Sequence, residues 1–211
     1  MIGFLFDLDG VIIDSESRYT EIWGEIDSRF HTGVADFVHK IKGCTLEHIL
    51  STYFRPEDHD AVVGILKARE KEMVYDYCPG ACTLLEEIVR SPWKAALVTI
   101  SNDAKMARLY AQHPEIRSYF VKIIDGNMVS RSKPDPEGYL MGAEAIGAVP
   151  GRCVVFEDSL QGVKAGKAAG AYTVGVAGTL PAEVLAPVAD RVVPSLEAID
   201  FNEIVDILKN R

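Results

Sequence analysis

The sequence has few cysteines, no long apolar run and an excess of acidic over basic residues. Its four cysteines show neither CxxC spacing nor an accompanying histidine cluster, so neither a zinc site nor a disulfide framework is predicted. No stretch reaches the roughly 18 apolar residues that a membrane-spanning helix requires. With 31 acidic and 22 basic residues the formal net charge is −9, which argues against nucleic acid or an anionic membrane as a partner.

The N-terminal segment also lacks the features of a secretion signal, because Asp7 and Asp9 interrupt its apolar run almost at once. This feature and the low cysteine content predict a cytoplasmic location. The length of 211 residues and the 48% hydrophobic content predict one domain, or one domain with an insertion. We expect a monomer or a weak homodimer.

Short, continuously apolar runs alternate with helical patterns, which is typical of a parallel sheet covered on both faces. The predicted strands are 2–6, 95–100, 121–124, 153–156, 173–176 and 191–193, and the helices between them are 82–90, 102–112, 137–146 and 161–169. Ser101 is the expected N-cap of the second helix, and Gly170 is the expected C′ residue of the last. The predicted fold class is α/β, with a Rossmann-like, doubly wound parallel sheet.

Residues 14–80 interrupt this alternation. They contain helical patterns at 17–30, 45–53 and 57–76, and no convincing strand. The spacing of four between Ile22, Ile26 and Phe30 predicts an apolar stripe along the first of these helices. We therefore predict a core domain of residues 1–13 and 81–211, with residues 14–80 inserted as a helical cap domain.

Polar residues follow four of the predicted strands. These residues are Asp7, Asp9, Thr99, Lys133, Glu157 and Asp158. Taken singly, each is ordinary, as a turn former, a helix cap or a solvated side chain. Ligands of open parallel sheets, however, bind outside the carboxyl ends of the strands, so together these residues predict one site.

The four carboxylates of this set would repel one another, which favours a bound cation. An all-oxygen site suits Mg²⁺, which commonly also recruits phosphate oxygens of a substrate. Lys133 and Thr99 would then bind the remaining phosphate oxygens. Carboxylates, a hard metal ion and a lysine are the groups that phosphoryl transfer through an aspartyl-phosphate requires.

Four segments resemble, in order and spacing, the four motifs of the haloacid dehalogenase superfamily. They are FDLDGVIIDSE, the strand-end Thr99, SKPDPEGY and VFEDSLQGVKAGKAAG. The sequence is most similar to the subgroup with a helical cap inserted after the first motif, which includes β-phosphoglucomutase and sugar-phosphate phosphatases. The resemblance covers nearly the whole chain.

The resemblance implies a role for each aspartate of the first motif. Asp7 is the expected nucleophile that accepts the phosphoryl group. Asp9 is the expected general acid and base, which protonates the leaving oxygen and later activates water. Both would also bind Mg²⁺, Asp9 through its backbone carbonyl.

The remaining motifs imply phosphate and metal ligands. Thr99 and Lys133 resemble the pair that orients the substrate phosphate, and the backbone N–H of Ile100 is expected to bind the same phosphate. Asp158 together with Glu157 resembles the second metal-binding position. The helical insertion is expected to close over the substrate and exclude water.

The cap departs from the mutase pattern. The segment 41–50, IKGCTLEHIL, resembles the cap loop of the mutase, but Leu46 stands where the mutase has an arginine and Tyr19 where it has a histidine. These departures favour hydrolysis of a monophosphate. Lys42 and Tyr19 are candidates for substrate selection, and the alternative for them is a solvated lysine and an aromatic residue of the cap core.

The sequence thus predicts a Mg²⁺-dependent phosphatase that hydrolyses a small phosphorylated metabolite, a sugar phosphate, through a phospho-aspartate. The alternative within the family is a phosphomutase of the β-phosphoglucomutase type. Outside it, a receiver-type signalling domain also holds an aspartyl-phosphate, but receivers carry the acceptor on a middle strand and have no helical insertion. A catalytically silent binding module is a further alternative, which the intact motifs disfavour.

Overall fold

The protein forms a parallel α/β sheet in a computed structural model, which describes residues 1–41, 44 and 46–211. Within the described residues the strands are β1 (Gly3–Phe6), β2 (Lys94–Val98), β3 (Lys122–Ile124), β4 (Cys153–Glu157), β5 (Tyr172–Val176) and β6 (Arg191–Val193). They form one six-stranded sheet in the order β3-β2-β1-β4-β5-β6, with every neighbouring pair parallel. The predicted α/β fold class is confirmed.

The helices of the sheet unit lie between the strands and after the last strand, as the predicted alternation requires. They are α5 (Ala81–Arg90), α6 (Asp103–Gln112), α7 (Ile116–Tyr119), α8 (Glu137–Ala145), α9 (Leu160–Ala168), α10 (Ala182–Leu185) and α11 (Phe201–Lys209). Three of these, α7, α10 and α11, were not predicted. The longest of the three, α11, carries the usual signals, since Asp200 caps it and Ile204 and Leu208 are fully buried.

The strand order reverses between β1 and β4, which lie side by side in the middle of the sheet. Phe6 pairs with Leu97 of β2 on one side and with Phe156 of β4 on the other. The carboxyl ends of these three strands therefore lie level with one another. In doubly wound sheets this switch point is where ligands bind.

Both faces of β1 are covered by side chains. Phe6 stacks on Phe156 with ring centroids 4.9 Å apart, and Phe4 stacks on Phe201 of α11 at 5.5 Å. On the opposite face Leu5 belongs to a buried cluster that includes Tyr139 of α8. Because the strand is packed on both sides, the residues that follow Phe6 start from a rigid base.

The chain divides into two compact units, residues 1–14 with 75–211 and residues 15–74. The sequence put the second boundary after residue 80, whereas residues 75–80 bond with the sheet unit. The backbone N–H of Tyr75 donates to Gln112 Oε1 at 2.9 Å, and that of Cys78 donates to the carbonyl of Ile12 at 2.9 Å. A β-bridge also joins Ile13 to Tyr77.

The inserted unit is helical within its described residues. Its helices are α1 (Ser15–Phe30), α2 (Phe37–Lys40), α3 (Leu46–Tyr53) and α4 (His59–Glu72). Ile22 and Ile26 of α1 are buried as predicted, whereas Phe30 is half-buried. Trp23 is also buried and lies edge-on to Phe37, with ring centroids 6.2 Å apart. Trp23 therefore packs as an aromatic residue in the interior of the helical unit.

None of the helices in the described part of the chain combines the length and the apolar character that crossing a membrane would demand.

Candidate active site

Asp7 lies directly beyond the end of β1, at the switch point of the sheet. Its backbone N–H donates to the carbonyl of Phe156 at 3.0 Å, so the pairing with β4 continues one residue past the strand. The chain then turns at Gly10, whose φ is +69°. A Cβ on Gly10 would lie 2.0 Å from Asp158 Oδ2, so only glycine lets these two segments approach so closely.

Lys133 connects two buried carboxylates. Its Nζ contacts Asp7 Oδ1 and Glu157 Oε1, and it also donates to the carbonyl of Val98 at 3.3 Å. The side chains of Lys133 and Asp7 are only 13% and 10% exposed. The lysine therefore belongs to the interior of the site, at the carboxyl ends of β1, β2 and β4.

Glu157 is fully buried and has a partner for each oxygen. Oε1 accepts from the hydroxyl of Tyr139 at 2.7 Å in addition to Lys133, and Oε2 accepts from the Ser159 hydroxyl at 2.9 Å. A Cβ on Gly162 would lie 1.7 Å from Glu157 Oε1. The carboxylate thus occupies the space that a side chain at the start of α9 would need.

Burial and the neighbouring charges shift the pKa values of this group. Burial raises the pKa of Asp7, and the Glu157 and Asp9 carboxylates raise it further, while Lys133 opposes the shift. Burial by itself lowers the pKa of Lys133, but the Asp7 and Glu157 carboxylates outweigh it, so the pKa lies above the ordinary value of lysine. Burial also raises the pKa of Tyr139, so its hydroxyl remains a donor to Glu157.

Asp9 is contacted by residues from the β2–α6 segment. The Ser101 hydroxyl donates to Asp9 Oδ2 at 2.9 Å, and Lys105 Nζ contacts Oδ1. The prediction that Ser101 caps α6 is wrong. The cap is Asn102, whose Oδ1 accepts from the backbone N–H of Lys105 at 2.9 Å, because the Ser101 hydroxyl is directed to Asp9 instead.

Thr99 and Ile100 follow β2, which ends at Val98, two residues before the predicted end. Thr99 is buried, and its Oγ1 accepts from the backbone N–H of Ser101 at 3.0 Å. The backbone N–H of Thr99 donates to the carbonyl of Ile124 at 2.9 Å. Ile100 is 64% exposed. Thr99 is therefore one of the buried polar residues at the carboxyl end of β2, and Ile100 lies beside it at the surface.

The site contains a group of oxygen atoms that suits a hard divalent cation. Carboxylate oxygens of Asp7, Glu157 and Asp158 lie within 4.8 Å of one another, and all three residues are buried. Asp158 Oδ2 also accepts a hydrogen bond from the Thr179 hydroxyl. Three buried carboxylates against one lysine leave an excess of negative charge that a cation would compensate, so the donor set fits Mg²⁺.

The predicted cap residues lie in the other unit. The hydroxyl of Tyr19 donates to Glu70 Oε1 at 3.0 Å, which joins α1 to α4. Tyr19 also lines a cavity inside the helical unit, with Glu16, Thr20, Trp23, Val38, Ile41, Cys44 and Ile49. Lys42 lies outside the described residues.

The structure adds residues to the site that were not among the predicted site residues. Ser101 and Lys105 contact Asp9, Tyr139 and Ser159 contact Glu157, and Thr179 contacts Asp158. Of these five residues, only Tyr139 and Ser159 lie inside the motifs SKPDPEGY and VFEDSLQGVKAGKAAG, so the sequence could have indicated that they belong to the site. Lys105 and Thr179 lie several residues after the ends of β2 and β5. Their positions in the sequence do not show that they contact the carboxylates.

A family model described as haloacid dehalogenase-like hydrolase matches residues 3–170, and the chain belongs to this family. Hexitol phosphatase A of Escherichia coli is 32% identical over 189 residues, which cover 82% of each chain. A phosphorylated carbohydrates phosphatase of Thermotoga maritima is 32% identical over 178 residues, which cover 81% of this chain and 82% of that protein. The crystal structure of a β-phosphoglucomutase from Clostridium difficile has a TM-score of 0.74 at 26% identity, covering 100% of this chain and 98% of that one.

Proposed function

We propose that the protein is a Mg²⁺-dependent phosphatase that hydrolyses a small phosphomonoester, a sugar phosphate, through a phospho-Asp7 intermediate. The observation that carries the proposal is the buried contact of Asp7 with Lys133 at the switch point, with Asp9 two residues further along. The names of two relatives, a hexitol phosphatase and a phosphorylated carbohydrates phosphatase, support the substrate class.

In the first half of the reaction, a carboxylate oxygen of Asp7 attacks the phosphorus atom. The new bond joins that oxygen to phosphorus, and the bond from phosphorus to the ester oxygen breaks. The carboxyl group of Asp9 gives its proton to the departing ester oxygen, so the products are the free alcohol and phospho-Asp7. Lys133 is the cation beside Asp7, and it and Thr99 are suited to orient the phosphoryl oxygens.

In the second half, a water molecule attacks the phosphorus of phospho-Asp7. The water gives a proton to the Asp9 carboxylate, its oxygen bonds to phosphorus, and the bond from phosphorus to the Asp7 oxygen breaks. Inorganic phosphate leaves, and both aspartates return to their starting protonation states. Asp9 thus serves as acid in one half and as base in the other.

Asp7 and Asp158 are the carboxylates best suited to hold Mg²⁺, with the Asp9 backbone carbonyl as a further oxygen ligand. Glu157 already accepts from Lys133, Tyr139 and Ser159, so its principal role is to fix the lysine. When bound, the ion would neutralise charge on the phosphoryl oxygens and lower their repulsion of the Asp7 carboxylate.

Phosphate release from a panel of sugar phosphates and from p-nitrophenyl phosphate tests the proposal. Release should require Mg²⁺ and be lost in Asp7→Asn, because an amide cannot act as the nucleophile. Asp206→Asn is the matched control, since Asp206 is exposed on α11. Full activity of Asp7→Asn would rule out the mechanism, and full activity of Asp9→Asn would remove its acid–base role.

The similarity to a β-phosphoglucomutase makes phosphoryl transfer between sugars the second candidate. Against it, Tyr19 stands at the position of the mutase histidine, and its hydroxyl donates to Glu70 of the same unit. Leu46, at the position of the mutase arginine, carries no charge for a second phosphate. The same panel separates the two functions, since a mutase would isomerise a sugar phosphate with little release of inorganic phosphate.

A further inference from the structure

Among the described residues, two lysines contact carboxylates of the candidate site, and the proposed reaction uses only one of them. Lys133 contacts Asp7 and comes from the motif that follows β3, whereas Lys105 contacts Asp9 and comes from the first turn of α6. Lys105 is only 8% exposed, although lysine is among the residue types that are almost never buried unless paired. The contact with Asp9 pairs this buried lysine.

The local structure fixes Lys105 and its target. The side chain of Asn102 caps α6 by accepting from the backbone N–H of Lys105, which sets the backbone position of the lysine. The Lys105 Nζ lies 5.9 Å from the centre of the Tyr75 ring, a cation–π distance. The ammonium group thus lies between the Tyr75 ring and Asp9 Oδ1.

Ser101 completes this arrangement from the other side of the same carboxylate. Its hydroxyl donates to Asp9 Oδ2 at 2.9 Å, while its backbone N–H donates to Thr99 Oγ1 at 3.0 Å. The two oxygens of Asp9 are therefore contacted by two different side chains. Such contacts restrict rotation of the carboxylate, and the Asp9 side chain itself is 26% exposed, so rotation is not prevented by burial.

We propose that Lys105, assisted by Ser101, is a positioning residue that orients the Asp9 carboxyl group for proton transfer to the leaving ester oxygen. The inference rests on the proposed function, because it assigns to Asp9 the acid–base role given above. Proton transfer requires the donor within hydrogen-bond reach of the ester oxygen and correctly aligned. Lys105 acts on the reaction through Asp9, without contact to the substrate.

The dependence on the leaving group distinguishes this role from a structural one. A sugar alkoxide needs a proton as it leaves, whereas p-nitrophenolate is stable enough to leave without one. In Lys105→Met, kcat/KM for a sugar phosphate should therefore fall by about 10- to 100-fold, a part of the 10²- to 10⁴-fold that general acid catalysis supplies. For p-nitrophenyl phosphate, kcat/KM should fall by less than about 3-fold, because proton donation by Asp9 contributes little to the departure of p-nitrophenolate.

The variant set makes each outcome decisive. Lys164→Met, an exposed lysine on α9, is the matched control and should behave as the unchanged protein does. In Ser101→Ala, kcat/KM should again fall more for the sugar phosphate than for p-nitrophenyl phosphate, but by a smaller factor. This variant tests the proposal if Lys105→Met does not fold. Equal losses for both substrates, or no loss for the sugar phosphate, would overturn the positioning role. Absence of activity in the unchanged protein would instead overturn the proposed phosphatase function.

Discussion

Asp7 and Asp9 are two residues apart, yet their carboxylates have different surroundings. Asp7 is buried against Lys133 and close to Glu157 and Asp158, whereas Asp9 is more exposed and contacts Ser101 and Lys105. These surroundings match the separate tasks proposed for them. A nucleophile benefits from a fixed position beside a cation, and an acid–base group needs access to both the ester oxygen and water.

At the residue scale, Gly162→Ala tests whether the position of Glu157 matters. The new Cβ would lie 1.7 Å from Glu157 Oε1, so the carboxylate must leave its contacts with Lys133 and Tyr139. Disrupting a buried ion pair in this way should lower the free energy of unfolding by about 3 kcal/mol and also reduce turnover. Urea unfolding measures the first effect.

Gly64→Ala is the matched control, because Gly64 lies in the middle of α4 with open space around it. Alanine there should raise the free energy of unfolding by about 0.4–1 kcal/mol, since it reduces the entropy of the unfolded chain. If Gly162→Ala also raised the free energy of unfolding, or left it unchanged, the close packing of Gly162 against Glu157 would be refuted.

At the scale of elements, the β2–α6 segment brings Thr99, Ser101 and Lys105 to the site from seven consecutive positions. Substitution of the N-cap residue Asn102 tests how much the N-terminus of α6 contributes to the stability of this segment. Asn102→Ala removes the acceptor for the Lys105 N–H and should cost about 1 kcal/mol of stability, whereas Asn102→Ser should retain most of it. Thermal unfolding compares the two, and equal melting temperatures would contradict the cap assignment.

The same segment shows what the sequence could predict and what it could not. The apolar run of β2 and the helical pattern of α6 are local properties, so both elements were predicted. Serine and asparagine are equally good N-caps, so adjacent Ser101 and Asn102 could not be told apart locally. The partner that decides between them, Asp9, lies 92 residues away from Ser101 in the chain.

Several of the predicted site residues do lie close together at the carboxyl ends of the strands, namely Asp7, Lys133, Glu157 and Asp158. Asp7 and Thr99 follow neighbouring strands and Glu157 ends another, and the α/β pattern predicted parallel strands whose carboxyl ends share one edge, but neither their order nor their register. The motifs contain Tyr139, but its contact with Glu157 could not be predicted, because the burial of Tyr139 beside that carboxylate depends on how α8 packs on the sheet. Side-chain contacts between elements are set by tertiary packing, which a single sequence does not display.

At the scale of the whole molecule, a protein of net charge −9 concentrates three buried carboxylates at one point. Binding of Mg²⁺ there should stabilise the entire folded state. At about 100 times its dissociation constant, the ion would add about 2.7 kcal/mol to the free energy of unfolding. Urea unfolding with and without Mg²⁺ measures this difference without reference to activity.

Asp158→Asn should abolish most of that stabilisation, whereas Asp206→Asn, on the exposed face of α11, should keep it. An Asp158→Asn variant that responded to Mg²⁺ as strongly as the unchanged protein would show that the ion binds elsewhere.

In the proposed mechanism Asp7 carries the phosphoryl group, and reaction with an acyl phosphate reveals whether it does. Acetate leaves without a proton, so Asp9→Asn should still be phosphorylated by acetyl phosphate, but it should hydrolyse slowly because no base activates water. Mass spectrometry of the acid-quenched variant should then find one phosphoryl group on Asp7. An unmodified Asp7, or a phosphoryl group on another residue, would rule out Asp7 as the nucleophile.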